Sequence, residues 1–171
     1  MHGDTVDSLR DELRRSLHGP AWHGPALLEV LCDLSPREAQ ARPLPGTHSI
    51  AELAFHALAW VEEVTRRLDG SAPTLPARGD WPSADDALPV VEAIRLLRQA
   101  GDTLDETLAS FPQAKLGELV GSAEHDAPAG TGVTYADMLH GLAQHNAYHG
   151  GQVSLLRKAL RDAQANAFAP A

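Results

Sequence analysis

Apolar residues recur at intervals of three and four along four long stretches of this chain, which is the pattern of amphipathic helices. The apolar patterns cover residues 4–17, 49–68, 90–111 and 134–160. No stretch shows the period of two that is typical of half-buried strands. Four apolar faces joined by connections of variable length predict an all-α fold, an antiparallel four-helix bundle, that forms a single domain over the whole chain, residues 1–171.

Proline and glycine mark the predicted breaks between helices. The first helix ends at Gly19-Pro20, and a short apolar helix follows Gly24-Pro25, because proline is tolerated in a first turn but not inside a helix. The third helix begins somewhere in residues 83–89. Segments 71–82 and 112–133 show no period. The second of them is long for a loop in a compact domain, and loops of that length are usually functional or mobile.

Two helix starts and one glycine have specific local signals. Ser49 and Glu52 form a capping-box pattern at the start of the second helix, and Thr134 with Asp137 predicts a cap for the last one. Gly101 lies inside the apolar face of the third helix. Because glycine has no side chain, we expect another backbone or a ligand to come close at this position.

Composition limits the possible partners. The chain has 171 residues, 43% of them hydrophobic and 22% charged, which is typical of a globular protein. A net charge of −9 without a basic stripe argues against a nucleic-acid partner. Cys32 is the single cysteine, residues 1–7 do not resemble a signal peptide, and no apolar run approaches the ~18 residues of a membrane span. We therefore expect a cytoplasmic protein without a membrane partner.

The last predicted helix carries two histidines in the middle of its apolar face. Its inward positions are predicted to be Tyr135, Met138, Leu142, His145, His149, Gln152, Leu156 and Leu160. At 100° per residue, His145 and His149 lie about 40° apart and one turn apart. Buried imidazoles are unfavourable unless their nitrogens are satisfied, and the i, i+4 spacing allows two histidines to bind one metal ion. The alternative is a hydrogen-bonded pair in the core.

A third ligand is needed to complete such a site, and His56 is the best candidate. It lies on the second predicted helix about 40° from Trp60, at the edge of the apolar face. His140 projects roughly opposite to the pair on the last helix, so it is not expected to join. The remaining histidines belong to chain ends, breaks or loops and have no spacing that indicates a ligand: His2, His18, His23, His48 and His125.

Two of these segments resemble a known family. Residues 48–56, followed by Trp60, are similar to the second helix of DinB/YfiT-like proteins, and residues 144–152 are similar to their last helix. Segments 22–25 and 42–43 also resemble members of this group, whereas the linkers match only in placement. The resemblance implies a four-helix bundle that binds a divalent metal on three histidines, which map by motif to His56, His145 and His149. It also implies a homodimer, and some members transfer thiols such as bacillithiol, mycothiol or glutathione.

The chemistry of a three-histidine site leaves more than one function open. Three imidazoles leave a coordination position open, as in catalytic sites, and zinc is the first expectation, with nickel, iron or manganese as alternatives. A thiol in that position is held as thiolate, so the leading hypothesis is a metal-dependent S-transferase acting on a small-molecule substrate. The alternatives are a hydrolase that uses metal-bound hydroxide and a non-catalytic metal-binding stress protein.

Four further residues lie next to the candidate ligands in the sequence or in helical register. Asn146 follows the first histidine of the pair, so the glutamate base of HExxH metalloproteases is absent. Glu52 is close enough in register to orient His56, although its capping role explains it without that. Tyr148 and Gln152 flank the pair as candidate contacts to ligands or substrate. No catalytic residue is assigned.

Overall fold

A computed structural model describes residues 4–82, 89–121 and 132–167 of the chain. Its helices are α1 (Val6–His18), α2 (Leu27–Leu31), α3 (Pro36–Gln40), α4 (Ile50–Arg67), α5 (Val90–Ala109) and α6 (Tyr135–Ala167), with a 3-10 helix at Gln113–Gly117. The described ranges contain no strand, only two isolated β-bridges. The predicted all-α bundle is confirmed. Residues 83–88, where the start of the third helix was predicted, and His2 and His125 lie outside the described residues.

The four long helices pack around a common apolar core. Helix α4 contacts α5 and α6, and α1 contacts α5 and α6 from the other side. The largest side chains that are fully buried come from all four helices and from α2, and they include Leu9, Leu31, Leu58, Leu97 and Leu139. Burial of apolar surface of this kind is the main contribution to folding. No helix in the described ranges combines the length and hydropathy that a membrane span requires.

The two helices that carry the candidate ligands begin at the predicted caps. The Ser49 hydroxyl accepts a hydrogen bond from the Glu52 N–H at 3.2 Å, and the Glu52 carboxylate accepts one from the Ser49 N–H at 2.7 Å. Thr134 and Asp137 form the equivalent pair before α6, at 3.1 and 3.2 Å. These bonds satisfy N–H groups that have no partner within the helix, so both starts are determined locally.

Gly101 allows close packing, but its neighbours are side chains at the end of α1 rather than the expected backbone or ligand. A Cβ built at this position would lie 2.4 Å from Leu17 Cδ2 and 2.9 Å from His18 Nε2. The absence of a side chain therefore lets the end of α1 lie directly against α5.

The predicted inward face of α6 was partly wrong. Several predicted positions are buried, but the deepest ones include Leu139, Asn146 and Val153, which were not on the predicted face. His145, Gln152 and Leu160 are only half-buried, and the helix continues past residue 160. The reason is that α6 contacts α1, α2 and α4, so that the buried sector is wider than one line of residues.

Candidate metal centre

Helices α4 and α6 bring His56, His145 and His149 together. His56 lies in the middle of α4, and the other two lie one turn apart on α6. His145 Nε2 is 2.9 Å from His56 Nε2 and 3.1 Å from His149 Nε2. One nitrogen of each residue lies within 4.8 Å of the others. Tetrahedral zinc with Zn–N bonds of about 2.0–2.1 Å has ligand atoms about 3.3 Å apart, so the three imidazoles fit a divalent ion.

Hydrogen bonds on the far side of two rings determine which nitrogen faces the centre. His56 Nδ1 bonds to the carbonyl oxygen of Asp80, and His149 Nδ1 bonds to Gln152 Oε1 at 2.7 Å. A carbonyl oxygen only accepts, so each Nδ1 carries the proton and each Nε2 presents its lone pair inward. This is the tautomer that metal-bound histidines have. The expectation that Gln152 contacts the ligand pair is confirmed.

His145 lacks such a partner and is the most perturbed of the three. Its Nδ1 is buried and makes no hydrogen bond in the described part of the chain. Burial, followed by the neighbouring His149 and His56, lowers the pKa of His145 to about 3. Burial is also the main cause that lowers the pKa of His56 and of His149. All three rings are therefore neutral at pH 7, which is the form that binds metal.

Comparison with known proteins supports the assignment that the motifs suggested. A family model described as the DinB superfamily matches residues 21–153, a range that contains all three histidines. The chain belongs to the DinB superfamily. A search of curated proteins found no match.

In this DinB protein, a segment without helical period supplies the surroundings of the centre. The Trp81 ring stacks between those of His48 and His56, with centroid distances of 3.7 and 3.8 Å. The Asp80 carboxylate accepts a hydrogen bond from the Trp60 indole N–H at 2.8 Å, and the Asp80 backbone carbonyl accepts the one from His56 Nδ1. Sequence reasoning missed Asp80 and Trp81, because segment 71–82 showed no period. The one available signal was a tryptophan in a proline-rich linker.

The structure decides between the two roles considered for Glu52. Its carboxylate accepts hydrogen bonds from Ser49 and Arg42, the latter at 2.6 Å, whereas the partner of His56 Nδ1 is Asp80. Glu52 is therefore a capping residue.

Tyr148 is 65% exposed, and its ring packs edge to face against the ring of His149 at a centroid distance of 5.1 Å.

The other described histidines lie outside the cluster. His140 faces α1, where its Nδ1 is 2.7 Å from Glu12 and its Nε2 is 3.4 Å from Asp4. Desolvation lowers the pKa of His140, but these two carboxylates outweigh that effect and raise it. His18 lies against α5, 3.9 Å from Asp102, and His23 is exposed in the break after α1. His48 stacks on Trp81, on the face of that ring opposite His56.

Asn146 lies on a different side of α6 from the histidine pair. Its side chain is 1% exposed and donates to Ser16 Oγ on α1 at 3.2 Å. Since the hydroxyl of Ser16 donates to the Leu13 carbonyl, it can accept from the Asn146 amide. The residue after the first histidine thus joins α6 to α1 and takes no place in the cluster.

Proposed function

We propose that His56, His145 and His149 bind a divalent metal ion, zinc in the first place, and that the protein is a metal-dependent enzyme that transfers a low-molecular-weight thiol. The observation that supports this proposal is the convergence of three neutral imidazole nitrogens, 2.9 and 3.1 Å apart. Three protein ligands leave one position of a tetrahedral site open, which is the arrangement of catalytic zinc rather than structural zinc.

The surrounding residues have positioning roles in this proposal. Asp80 and Gln152 keep the rings of His56 and His149 turned so that Nε2 points to the centre. Loss of such outer partners typically weakens metal binding by about 10–100-fold. Trp81 covers the flat face of His56 and so restricts access of water to the centre from that side.

Held by His56, His145 and His149, a divalent ion would lower the pKa of a thiol at the open position and so favour the reactive thiolate. During transfer, the thiol sulfur forms a bond to an electrophilic carbon of the second substrate. The thiol proton passes to solvent, and the leaving group departs with its electron pair. The site residues contribute by orienting the two reactants at contact distance, which replaces a bimolecular encounter by an effectively unimolecular step.

The test combines elemental analysis with an activity screen of the full chain. We expect purified protein to contain one equivalent of a divalent metal, whose identity the analysis decides among zinc, nickel, iron and manganese. The metal-loaded protein should accelerate thioether formation from 1-chloro-2,4-dinitrobenzene with glutathione, mycothiol or bacillithiol. The His140→Ala variant is the control for substitution of the three candidate ligands. His140 lies on α6 as two of them do, but its ring faces Glu12 on α1.

Other outcomes would assign other functions. Cleavage of an ester or amide without any thiol would indicate a hydrolase. Bound metal without activity in either assay would indicate a non-catalytic metal-binding protein, and protein without metal would contradict the proposal altogether. The homodimer, the single domain and the cytoplasmic location stay predictions.

A further inference from the structure

A cavity of about 360 Å³ lies next to the histidine cluster, with His145 in its wall. Its apolar walls come from two helices, with Trp60 and Val64 on α4 and Met138 and Leu142 on α6. Sites for small molecules usually have volumes of about 300–1,000 Å³ and are mostly apolar with few polar groups. The cavity is therefore large enough for a substrate group beside the metal centre.

Apart from His145, whose Nδ1 makes no hydrogen bond in the described part of the chain, the polar side chains of this wall have partners within the protein. The Trp60 indole N–H donates to Asp80 at 2.8 Å, and the Arg67 guanidinium lies over the Trp60 ring, 5.5 Å from its centroid. Arg67 is 2% exposed and donates to Glu63 at 2.8 Å and to the Thr74 carbonyl at 2.8 Å.

Asp137 also lines the cavity, and its carboxylate is engaged in the cap of α6, where it accepts from the Thr134 hydroxyl at 2.7 Å. The charged groups of the lining thus serve the fold. A ligand that brought its own charge into the cavity would lose hydration without gaining a dedicated partner.

We infer that this cavity binds an uncharged apolar group of the substrate, such as a phenyl ring or a short branched alkyl chain, while the reacting group lies at the histidine cluster. The inference rests on the proposed metal site and goes further by naming the chemical class that the enzyme selects. An empty apolar cavity of about 150 Å³ is enough to bind benzene, so a ring fits here with room for a linking group.

Two glycines of α6 provide a matched pair of variants. Gly141 lines the cavity one turn before His145, and a Cβ built there meets no atom within 4 Å. Gly151 is also exposed with no atom within 4 Å of a built Cβ, but it does not line the cavity. Leucine at position 141 narrows the cavity, whereas leucine at 151 does not. Both substitutions replace glycine within the same helix, so their effects on helix propensity are similar.

The experiment uses two metal-binding probes that contain no thiol, benzohydroxamate and acetohydroxamate. Binding of each to the zinc-loaded full chain is measured by isothermal titration calorimetry. We expect the unaltered protein to bind benzohydroxamate at least about tenfold more tightly, because the phenyl ring becomes buried. The Gly141→Leu variant should lose most of this preference and still bind acetohydroxamate, and Gly151→Leu should keep the preference.

Equal affinity for the two probes in the unaltered protein would overturn the inference, and so would a preference that survives in Gly141→Leu. Failure of zinc-loaded protein to bind either hydroxamate would overturn it as well. Thiol binding, which the proposed transfer requires, is tested separately by titrating glutathione into the same samples. A phenyl preference without thiol binding or transfer would retain the apolar cavity and reject the S-transferase.

Discussion

Acidification should destabilise the metal-free protein through His145. Its folded-state pKa is about 3, whereas the value for an unperturbed histidine is 6.5. The folded state therefore favours the neutral ring, and the unfolded chain takes up a proton first as pH falls. The stability that His145 contributes is fully present above pH 6.5 and is lost as the pH decreases from there toward 3.

The size of the effect follows from the two pKa values. At pH 5 the unfolded form is about 97% protonated at this position while the folded form stays neutral, which lowers the free energy of unfolding by about 2 kcal/mol relative to pH 8. The pKa values of His56 and His149 are also lowered, so these two residues add to the loss of stability at low pH. The raised pKa of His140 acts in the opposite direction, since folding gains from protonation of that ring.

Titration of carboxylates contributes little to the change in stability between pH 8 and pH 5. Unperturbed Asp and Glu titrate near 4. Burial raises the pKa of Glu63, but hydrogen bonds from Arg66 and Arg67 outweigh it and lower the value. The pKa of Glu52 is lowered in the same way, since the hydrogen bond from Arg42 opposes its burial. The loss of stability between pH 8 and 5 therefore reports mainly on histidines.

The assay is urea denaturation at pH 8 and pH 5, with a chelator present in every sample. We compare the unaltered chain with His145→Gln, which has no titratable group at this position, and with His140→Ala as a second control. The unaltered chain should lose about 2 kcal/mol more than His145→Gln between the two pH values. Equal losses in the two proteins would refute the lowered pKa of His145, and His140→Ala should lose at least as much stability as the unaltered chain.

Three further predictions concern the metal, the packing and the assembly. Alanine at any of the three candidate ligands should abolish most metal binding while His140→Ala retains it, and elemental analysis of the variants decides this; unchanged metal in the His145 variant would contradict the three-histidine centre. Gly101→Ala should lower stability by about 1–2 kcal/mol in urea denaturation, because overlap of its Cβ with the buried Leu17 side chain costs more than the helix propensity that alanine gains, and a higher midpoint would contradict this. Light scattering at micromolar concentration should give the mass of a dimer, and a clean monomer would contradict the resemblance-based prediction.

Local signals in the sequence were sufficient for the four long helices and for two of the three histidines of the candidate centre. Periodicity located α4, α5 and α6, and the capping residues Ser49 and Thr134 located two of their starts, because both depend on neighbours within one helical turn. The i, i+4 spacing of His145 and His149 is of the same kind. A continuous helix over this segment places the two imidazole rings on the same face, whatever packs against it.

Only the tertiary structure decided which side chains complete the centre. His56 faces the pair because α4 packs against α6, and its edge position in the sequence was compatible with other outcomes. Asp80 and Trp81 come from a linker without a period, whose path depends on contacts with α4.

The same reason explains why the inward face of α6 was predicted incorrectly and why the cavity could not be predicted. Burial of Asn146 and the space between Trp60 and Met138 depend on how neighbouring helices pack, and periodicity along one helix carries no information about the position of the next. Local sequence patterns therefore account for the helices and the paired histidines. Packing between helices determined the third histidine, its outer partners and the pocket beside them.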